Sequence, residues 1–185
     1  ANQFITSLVP TQLLRLIKHP AGIRWLKLCS MVWVGGSSLS EMTMNTVREL
    51  NIPIAPCYGT TETAAMVAVQ SPKDFLSGNS YIGPALNDVE LRLGEANTLQ
   101  IKTNRLARVI DENGQIISIR KKDGWWESGD IAKLIVINKK QQIKILGRKD
   151  TAINSGGETI FPDHLQIRIL NAAKMKPLPI EEILL

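Results

Sequence analysis

A chain of 185 residues is long enough for one ordinary domain with its own core. Its hydrophobic fraction of 44% and charged fraction of 21% exclude a disordered polar chain. Its 22 Lys and Arg outnumber its 17 Asp and Glu, for a net charge of +5, but the cations are scattered and the tightest cluster, Arg120-Lys121-Lys122, is followed at once by Asp123, so no nucleic-acid surface is expected. Cys29 and Cys57 are far apart and form no CxxC, which fits two reduced thiols in a cytoplasmic protein better than a disulfide framework or zinc site. No apolar run approaches the roughly 20 residues of a membrane span, and no basic-then-apolar leader opens the chain. Ala1-Asn2-Gln3 lacks an initiator Met, which raises the expectation of a cut start.

The first half reads as α/β. A short helix is predicted over 10–18, with Pro10 at its start and Leu13, Leu14, Leu16 and Ile17 apolar; His19-Pro20 ends it and a second helix runs over 21–28. Met31-Val32-Trp33-Val34 is a continuous apolar run closed by Gly35-Gly36, as expected of a strand buried on both faces. Ser38-Leu39-Ser40-Glu41 has the spacing of a capping box that would open a helix to about Leu50, with Leu39, Met42, Val47 and Leu50 on one side. Ile52 to Ala55 then forms a short strand, which completes a βαβ unit.

After about Ser80 the pattern becomes antiparallel β. Val89–Leu93 and Leu99–Thr103 alternate in polarity. Asp111-Glu112-Asn113-Gly114 reads as a tight hairpin turn in which Asn-Gly supplies positive φ. Residues 131–137 and 142–146 form a second hairpin about Asn138-Lys139-Lys140. Residues 147–157 read as a polar linker, and 162–174 as a helix with Leu165, Ile169 and Ala172 apolar, broken by Pro177 and Pro179. The apolar 180–185 stops abruptly, as a truncated domain would.

Familiar catalytic motifs are missing: there is no GxxxxGK[ST], GxGxxG after a strand, GxSxG or HExxH, and His19 and His164 lie in or beside helices. Three loops could carry chemistry. Pro56-Cys57-Tyr58-Gly59-Thr60-Thr61-Glu62-Thr63 follows a buried strand, where open α/β sheets bind ligands. It offers a glycine for close approach, two hydroxyls for phosphate oxygens, a hard carboxylate for Mg²⁺ and a flat aromatic face. An ordinary strand-to-strand turn has a similar composition. Asp123-Gly124-Trp125-Trp126-Glu127-Ser128-Gly129-Asp130 ends in a carboxylate able to accept from two ribose hydroxyls, though tryptophans that merely cap a core read the same way. Gly147-Arg148-Lys149-Asp150, followed by Ile153 to Glu158, could bind phosphate or ribose through Arg148, or be an inert solvated linker.

Taken together and in this order, the three loops resemble the motifs of the adenylate-forming superfamily of acyl-CoA synthetases, peptide-synthetase adenylation domains and luciferases. Tyr58 to Glu62 resembles its YGxTE; Asp123 to Asp130 its DGWxxTGD, with Ser128 in place of Thr; and Gly147 to Asp150 with Gly156-Gly157-Glu158 its GRxD…GGE. Ile160-Phe161-Pro162 and Ile82-Gly83-Pro84 resemble two shorter segments of the same family. Ser7 to Leu13, Val34-Gly35-Gly36 and Ser71 to Phe75 are similar to the branch that activates 2-succinylbenzoate in menaquinone and phylloquinone synthesis.

The resemblance implies ATP, Mg²⁺ and coenzyme A, a small carboxylate substrate, and two half-reactions through an acyl-adenylate; a homodimer is compatible with it. It implies that Thr61 and a Mg²⁺ held by Glu62 act on the α-phosphoryl group. Gly36, Pro56, Cys57, Tyr58, Gly59, Thr60, Thr61, Asp130 and Arg148 would bind nucleotide. Gly35, Gly36, Gly59 and Thr60 would line the acyl side. Asp150, with Lys149 as the alternative, would be the hinge, and Gly156, Gly157 and Glu158 would approach coenzyme A. The organisation it implies is an α/β part over 1–80, a β-barrel-like part over 81–146, a hinge at 147–150 and the start of a small α+β domain over 151–185. The family's phosphate loop has no match before Tyr58, and Lys174 and Lys176 lie too soon after the hinge to be its catalytic lysine. The expectation is an internal fragment that does not complete adenylation alone. Acceptance by a carrier protein, or a non-catalytic nucleotide module, are the alternatives.

Overall fold

The computed structural model describes residues 4–137, 139–156, 158–162, 165, 168, 169, 172 and 173. Asn138, Gly157, His164, Lys174, Lys176, Pro177, Pro179 and 180–185, each invoked above, lie outside the described residues.

Strand β1 (Phe4–Leu8) leads into α1 (Pro10–Ile17) and α2 (Pro20–Leu28), both with proline in the first turn, where its missing N–H costs nothing. Strand β2 (Cys29–Val34) pairs in parallel with β1 on one side and with β3 (Ile54–Thr60) on the other. Helix α3 (Glu41–Glu49) makes the crossover between β2 and β3. Its cap is Ser40 rather than Ser38: the Ser40 hydroxyl accepts from the Thr43 N–H at 3.2 Å, so the helix starts two residues later than the capping-box spacing indicated. Val47 is its fully buried side chain, Leu39, Met44 and Leu50 pack beside it, and Met42 turns outward. The first core gathers Leu13, Leu26, Val32, Val34, Val47, Ile52, Ile54 and Phe75 between these helices and the sheet.

Strand β3 runs through the segment expected to be a loop. Its first half pairs in parallel with β2, and its second half, Cys57 to Thr60, pairs antiparallel with β4 (Ala65–Val69) across a single turn of 3₁₀ helix at Thr61–Thr63. The first sheet is therefore mixed, with order β1-β2-β3-β4. Helix α4 (Pro72–Leu76), capped by Ser71, seats Phe75 in the first core under the Arg48 guanidinium.

The second sheet has the order β10-β9-β6-β5, built from β5 (Val89–Leu93), β6 (Thr98–Thr103), β9 (Trp126–Ile137) and β10 (Lys140–Arg148), all antiparallel. It is an open sheet, and no closed barrel forms among the described residues. Val67 and Ala68 of β4 join Leu91, Leu99, Ile101, Ala132 and Ile143 in the second core, and Ile82 exchanges both backbone hydrogen bonds with Ile143 at 2.7 Å. The two sheets are thus joined through the side chains of β4 and the Ile82–Ile143 bridge.

Strands β7 (Arg108–Ile110) and β8 (Ile116–Ser118) form the expected hairpin, with a longer turn. Only Gly114 has positive φ there, at 77°, while the Asp111 carboxylate accepts from the N–H groups of Asn113 (2.9 Å) and Gln115 (2.7 Å) and so stabilises the connection over 111–115. The expected linker folds in part: Gly147 and Arg148 complete β10, and β11 (Ile153–Ser155) pairs with β12 (Glu158–Ile160). Residues 162, 165, 168, 169, 172 and 173 are helical, with Ala173 buried and Ala172 exposed, one position away from the expected stripe. No helix among the described residues is long and apolar enough to cross a membrane.

Ile143 is fully buried and holds both the β9–β10 ladder and the bridge to Ile82. Ile143→Ala is expected to destabilise the fold by about 2–5 kcal/mol through lost transfer energy plus a cavity, read as a fall in the urea midpoint.

Candidate functional site

A cleft of about 940 Å³ opens where the carboxyl end of β3 faces the start of β9 and the end of β10. Carboxyl ends of strands are where an open α/β sheet leaves backbone and side chains free for a ligand. Gly35, Gly36, Cys57, Tyr58, Gly59, Thr60, Thr61 and Glu62 form one wall, and Asp130 and Arg148 the other. Two of the sequence's three loops therefore face each other from separate sheets, and the third contributes its first residues.

Glycine is required at residue 59 by the bulge in the β3–β4 ladder. The register passes from Tyr58↔Ala68 to Gly59↔Met66, which leaves Val67 as the extra residue on β4. A Cβ at residue 59 would stand 2.2 Å from the Ala65 carbonyl oxygen and 2.6 Å from the Met66 Cα. Thr63, fully buried, pins the following turn: its hydroxyl lies 3.0 Å from the Thr60 carbonyl and 2.8 Å from that of Ala65, and accepts from the Thr60 N–H at 3.0 Å. The turn presents Thr61 exposed and Glu62 half-buried at the cleft. The Glu62 carboxylate has no hydrogen-bonding or ionic partner among the described residues. The Thr60 hydroxyl oxygen is buried and likewise unpartnered among them.

Opposite, Asp130 is only 7% exposed. The buried Ser128 hydroxyl donates to the Leu99 carbonyl at 3.0 Å and accepts from the Asp130 N–H at 3.1 Å, which fixes the strand from which the carboxylate projects. Ser128, where the related motif has Thr, keeps the hydroxyl that this contact needs. The Tyr58 hydroxyl donates to Asp130 Oδ2 at 2.5 Å, and Arg148 Nη1 lies 3.6 Å from Oδ1. Arg148 also forks onto Asp150, through Nη2 at 2.9 Å and Nε at 3.0 Å. That contact raises the Arg148 pKa and holds the Asp150 carboxyl below the usual range. Burial is the main cause that pushes the Tyr58 phenol well above its ordinary value, with the hydrogen bond and charge of Asp130 adding to it and Ser128 and Arg148 opposing. Burial also raises the Cys57 thiol, which donates to the Val34 carbonyl at 3.4 Å.

Several sequence candidates stand apart from the cleft lining. Pro56 is buried in the parallel ladder, where its carbonyl accepts from the Gln70 N–H at 2.8 Å. Lys149 and Asp150 are exposed beyond the end of β10, and Gly156 and Glu158 lie in the β11–β12 hairpin. Sequence reasoning missed Ser37, Ser38, Ala64, Ala65, Met66, Ile82 and Ile145 as site residues, all of which line the cleft. Ser37 and Ser38 could have been found as polar residues following a glycine pair at a strand end. Met66, Ile82 and Ile145 carry no such signal, because their exposure depends on how the two sheets meet.

The cleft thus sets hydroxyls and a carboxylate at the strand ends of one sheet opposite a second carboxylate and a guanidinium on the other. The chain belongs to the AMP-binding enzyme family, whose sequence profile matches residues 3–118. Among relatives, the 2-succinylbenzoate–CoA ligase of Listeria monocytogenes serotype 4b (strain F2365) is 28% identical over 160 residues, covering 86% of this chain and 33% of the relative. The indoleacetate–CoA ligase of Aromatoleum aromaticum (strain DSM 19018 / LMG 30748 / EbN1) is 26% identical over 176 residues, covering 88% and 33%. The structure of wild-type E. coli MenE with a bound m-phenylether-linked analogue of OSB-AMS superposes with a TM-score of 0.68 at 28% identity, over 93% of this chain and 36% of that one. The chain spans about a third of the length of the relatives it matches.

The raised Tyr58 pKa makes a signed prediction. The folded state holds the phenolic proton above the ordinary value of 10.0, so this contribution is intact below pH 10.0 and is lost as pH rises beyond it. Tyr58→Phe is expected to flatten the alkaline fall in urea stability above that pH. It should also cost about 1–3 kcal/mol at neutral pH, because Asp130 Oδ2 loses its donor.

Proposed function

We propose that this chain carries one wall of the nucleotide site of an AMP-forming carboxylate–CoA ligase, with 2-succinylbenzoate as the acyl substrate. The observation that carries the reading is the convergence of Tyr58–Glu62 with Asp130 and Arg148 on one cleft from two different sheets. The relatives' names support the acid–thiol chemistry, and the repeated 2-succinylbenzoate–CoA ligases among them favour that substrate over an indole acetate.

In this reading the substrate carboxylate attacks the α-phosphorus of ATP, pyrophosphate leaves, and the coenzyme A thiol then displaces AMP from the acyl-adenylate. Asp130 accepts from the ribose hydroxyls, and Arg148 lies within reach of the same sugar. The Tyr58 ring forms the floor beside them while its hydroxyl holds Asp130 in place. Thr61 gives its hydroxyl to phosphate oxygens where negative charge develops. Glu62 fits the donor set of Mg²⁺, which takes one or two carboxylates plus substrate phosphates, and its carboxylate is uncommitted among the described residues. A bound Mg²⁺ would supply charge neutralisation on those phosphates. Gly35 and Gly36 are assigned to the acyl side, and Gly35 packs so closely on Cys57 that a Cβ there would stand 2.7 Å from its Sγ. Asp150, with Lys149 as the alternative, acts as the hinge beyond β10, with Gly156 and Glu158 moving toward coenzyme A. A supply of ATP and coenzyme A places such an enzyme in the cytoplasm.

Arg148 is the one cation on the described cleft lining, so the leaving pyrophosphate has no lysine to meet it there. The 185-residue chain is accordingly expected to bind AMP but to give background ATP–pyrophosphate exchange with 2-succinylbenzoate; exchange above background would refute the one-wall reading. In calorimetry with AMP, Asp130→Ala is expected to weaken binding about 10–100-fold, the worth of one to two charge-assisted hydrogen bonds. Equal affinity in wild type and variant would remove Asp130 from the nucleotide site. In the complete ligase, acyl transfer to coenzyme A rather than to a phosphopantetheinyl carrier separates this function from carrier loading.

A further inference from the structure

The turn that presents Thr61 and Glu62 is conformationally expensive. Ala64 (φ 52°) and Ala65 (φ 124°) both occupy the left-handed half of the map, where side chains other than glycine are disfavoured. Such a turn persists only if its surroundings over-determine it. Thr63 supplies part of that constraint from within. The rest comes from a distant segment. Arg105, after β6, donates through Nη1 to the Thr63 carbonyl at 2.9 Å and through Nη2 to the Met66 carbonyl at 3.2 Å. Its Nε donates to Asp88 Oδ2 at 2.7 Å, and Thr103 Oγ1 donates to the same oxygen at 3.1 Å. Two residues on, the Ala107 N–H donates to the Glu62 carbonyl at 2.8 Å.

We propose that Arg105 is a positioning residue for the phosphate end of the cleft: its guanidinium, oriented by Asp88, clamps both sides of the 61–66 turn and so sets where Thr61 and Glu62 stand. A planar guanidinium can serve three acceptors at once in fixed directions, and a lysine ammonium on a flexible stem does not reproduce that fork. The ligand affected is a magnesium nucleotide triphosphate, because Thr61 and Glu62 serve the phosphates whereas Asp130 and Arg148 serve the sugar. This specificity rests on the proposed function; the clamp itself rests on geometry alone.

Arg105→Gln and Arg105→Lys separate the two. Amide hydrogen exchange over 61–66 is expected to quicken by about tenfold or more in both variants, while exchange in β5 and β6 stays at the wild-type rate. Magnesium-ATP affinity is expected to fall about tenfold and AMP affinity to stay within about twofold. Unchanged exchange over 61–66 overturns the clamp. Equal weakening of AMP and magnesium-ATP overturns the phosphate-end assignment and leaves a structural role only. A wild-type chain that binds neither nucleotide rejects the proposed function, and the exchange result then decides the clamp by itself.

Discussion

The Tyr58 hydroxyl crosses from the mixed sheet to the antiparallel one and donates to Asp130, 72 residues away in sequence. Asp130 is nearly buried, and a buried carboxylate without donors is costly. Its partners come from three places: the phenol on β3, the guanidinium on β10 and the backbone support of Ser128 on β9. Those contacts fix the distance between the two sheets at the mouth of the cleft, which is why cleft width and Asp130 orientation are one property. Below the contact, Val67 and Ala68 of β4 pack into the second core beside Tyr58, so apolar burial and the polar bridge act on the same strand pair.

Strand β3 holds this arrangement because it serves both sheets in succession. Ile54 to Pro56 pair with β2 in the first core, then the chain changes partner and runs against β4 toward the second. The bulge after Tyr58 aims the aromatic ring and the next three residues at the cleft, and the tight approach of Ala65 to Gly59 leaves no space for a side chain. The strained 61–66 turn follows this change of partner and is held in place by hydrogen bonds reaching back from Thr63 and across from Arg105.

The local signals in the sequence led furthest where burial followed polarity. The β2 run 31–34 and the β5 alternation were legible for that reason, whereas β6 buries its polar Thr98, Gln100 and Thr103 instead of alternating, and β7 and β8 leave Val109, Ile110, Ile116 and Ile117 exposed. The segments read as loops bring residues to one cleft but are not loops: Tyr58–Thr60, Trp126–Asp130 and Gly147-Arg148 all lie in strands. Glycine is depleted in strands and marks turns, so Gly59, Gly129 and Gly147 pointed to loops, and here tertiary pairing overrides that preference. Ser38 was mistaken for a cap because two serines share the motif and only the backbone direction after Gly36 selects Ser40. Arg105 carries no sequence signal, since its acceptors are main-chain carbonyls about forty residues away.

Charge balance at the cleft explains why its residues suit a nucleotide only in company. Asp130 and Glu62 are both carboxylates, and Arg148, the single cation on the described lining, already divides itself between Asp130 and Asp150. A polyphosphate brought against this surface alone would meet more negative than positive charge, and repulsion between unit charges at about 4 Å ranges from ~1 kcal/mol in water to ~4 kcal/mol near a protein surface. Two carboxylates in a phosphate site are useful only if they serve other parts of the ligand: one accepts hydroxyl hydrogens, which need no counter-charge, and one holds a divalent cation that carries the phosphates with it. On the proposed function, the described residues supply the groups assigned to the sugar, Asp130 and Arg148, whereas the phosphates call for cations beyond the single guanidinium of the described lining.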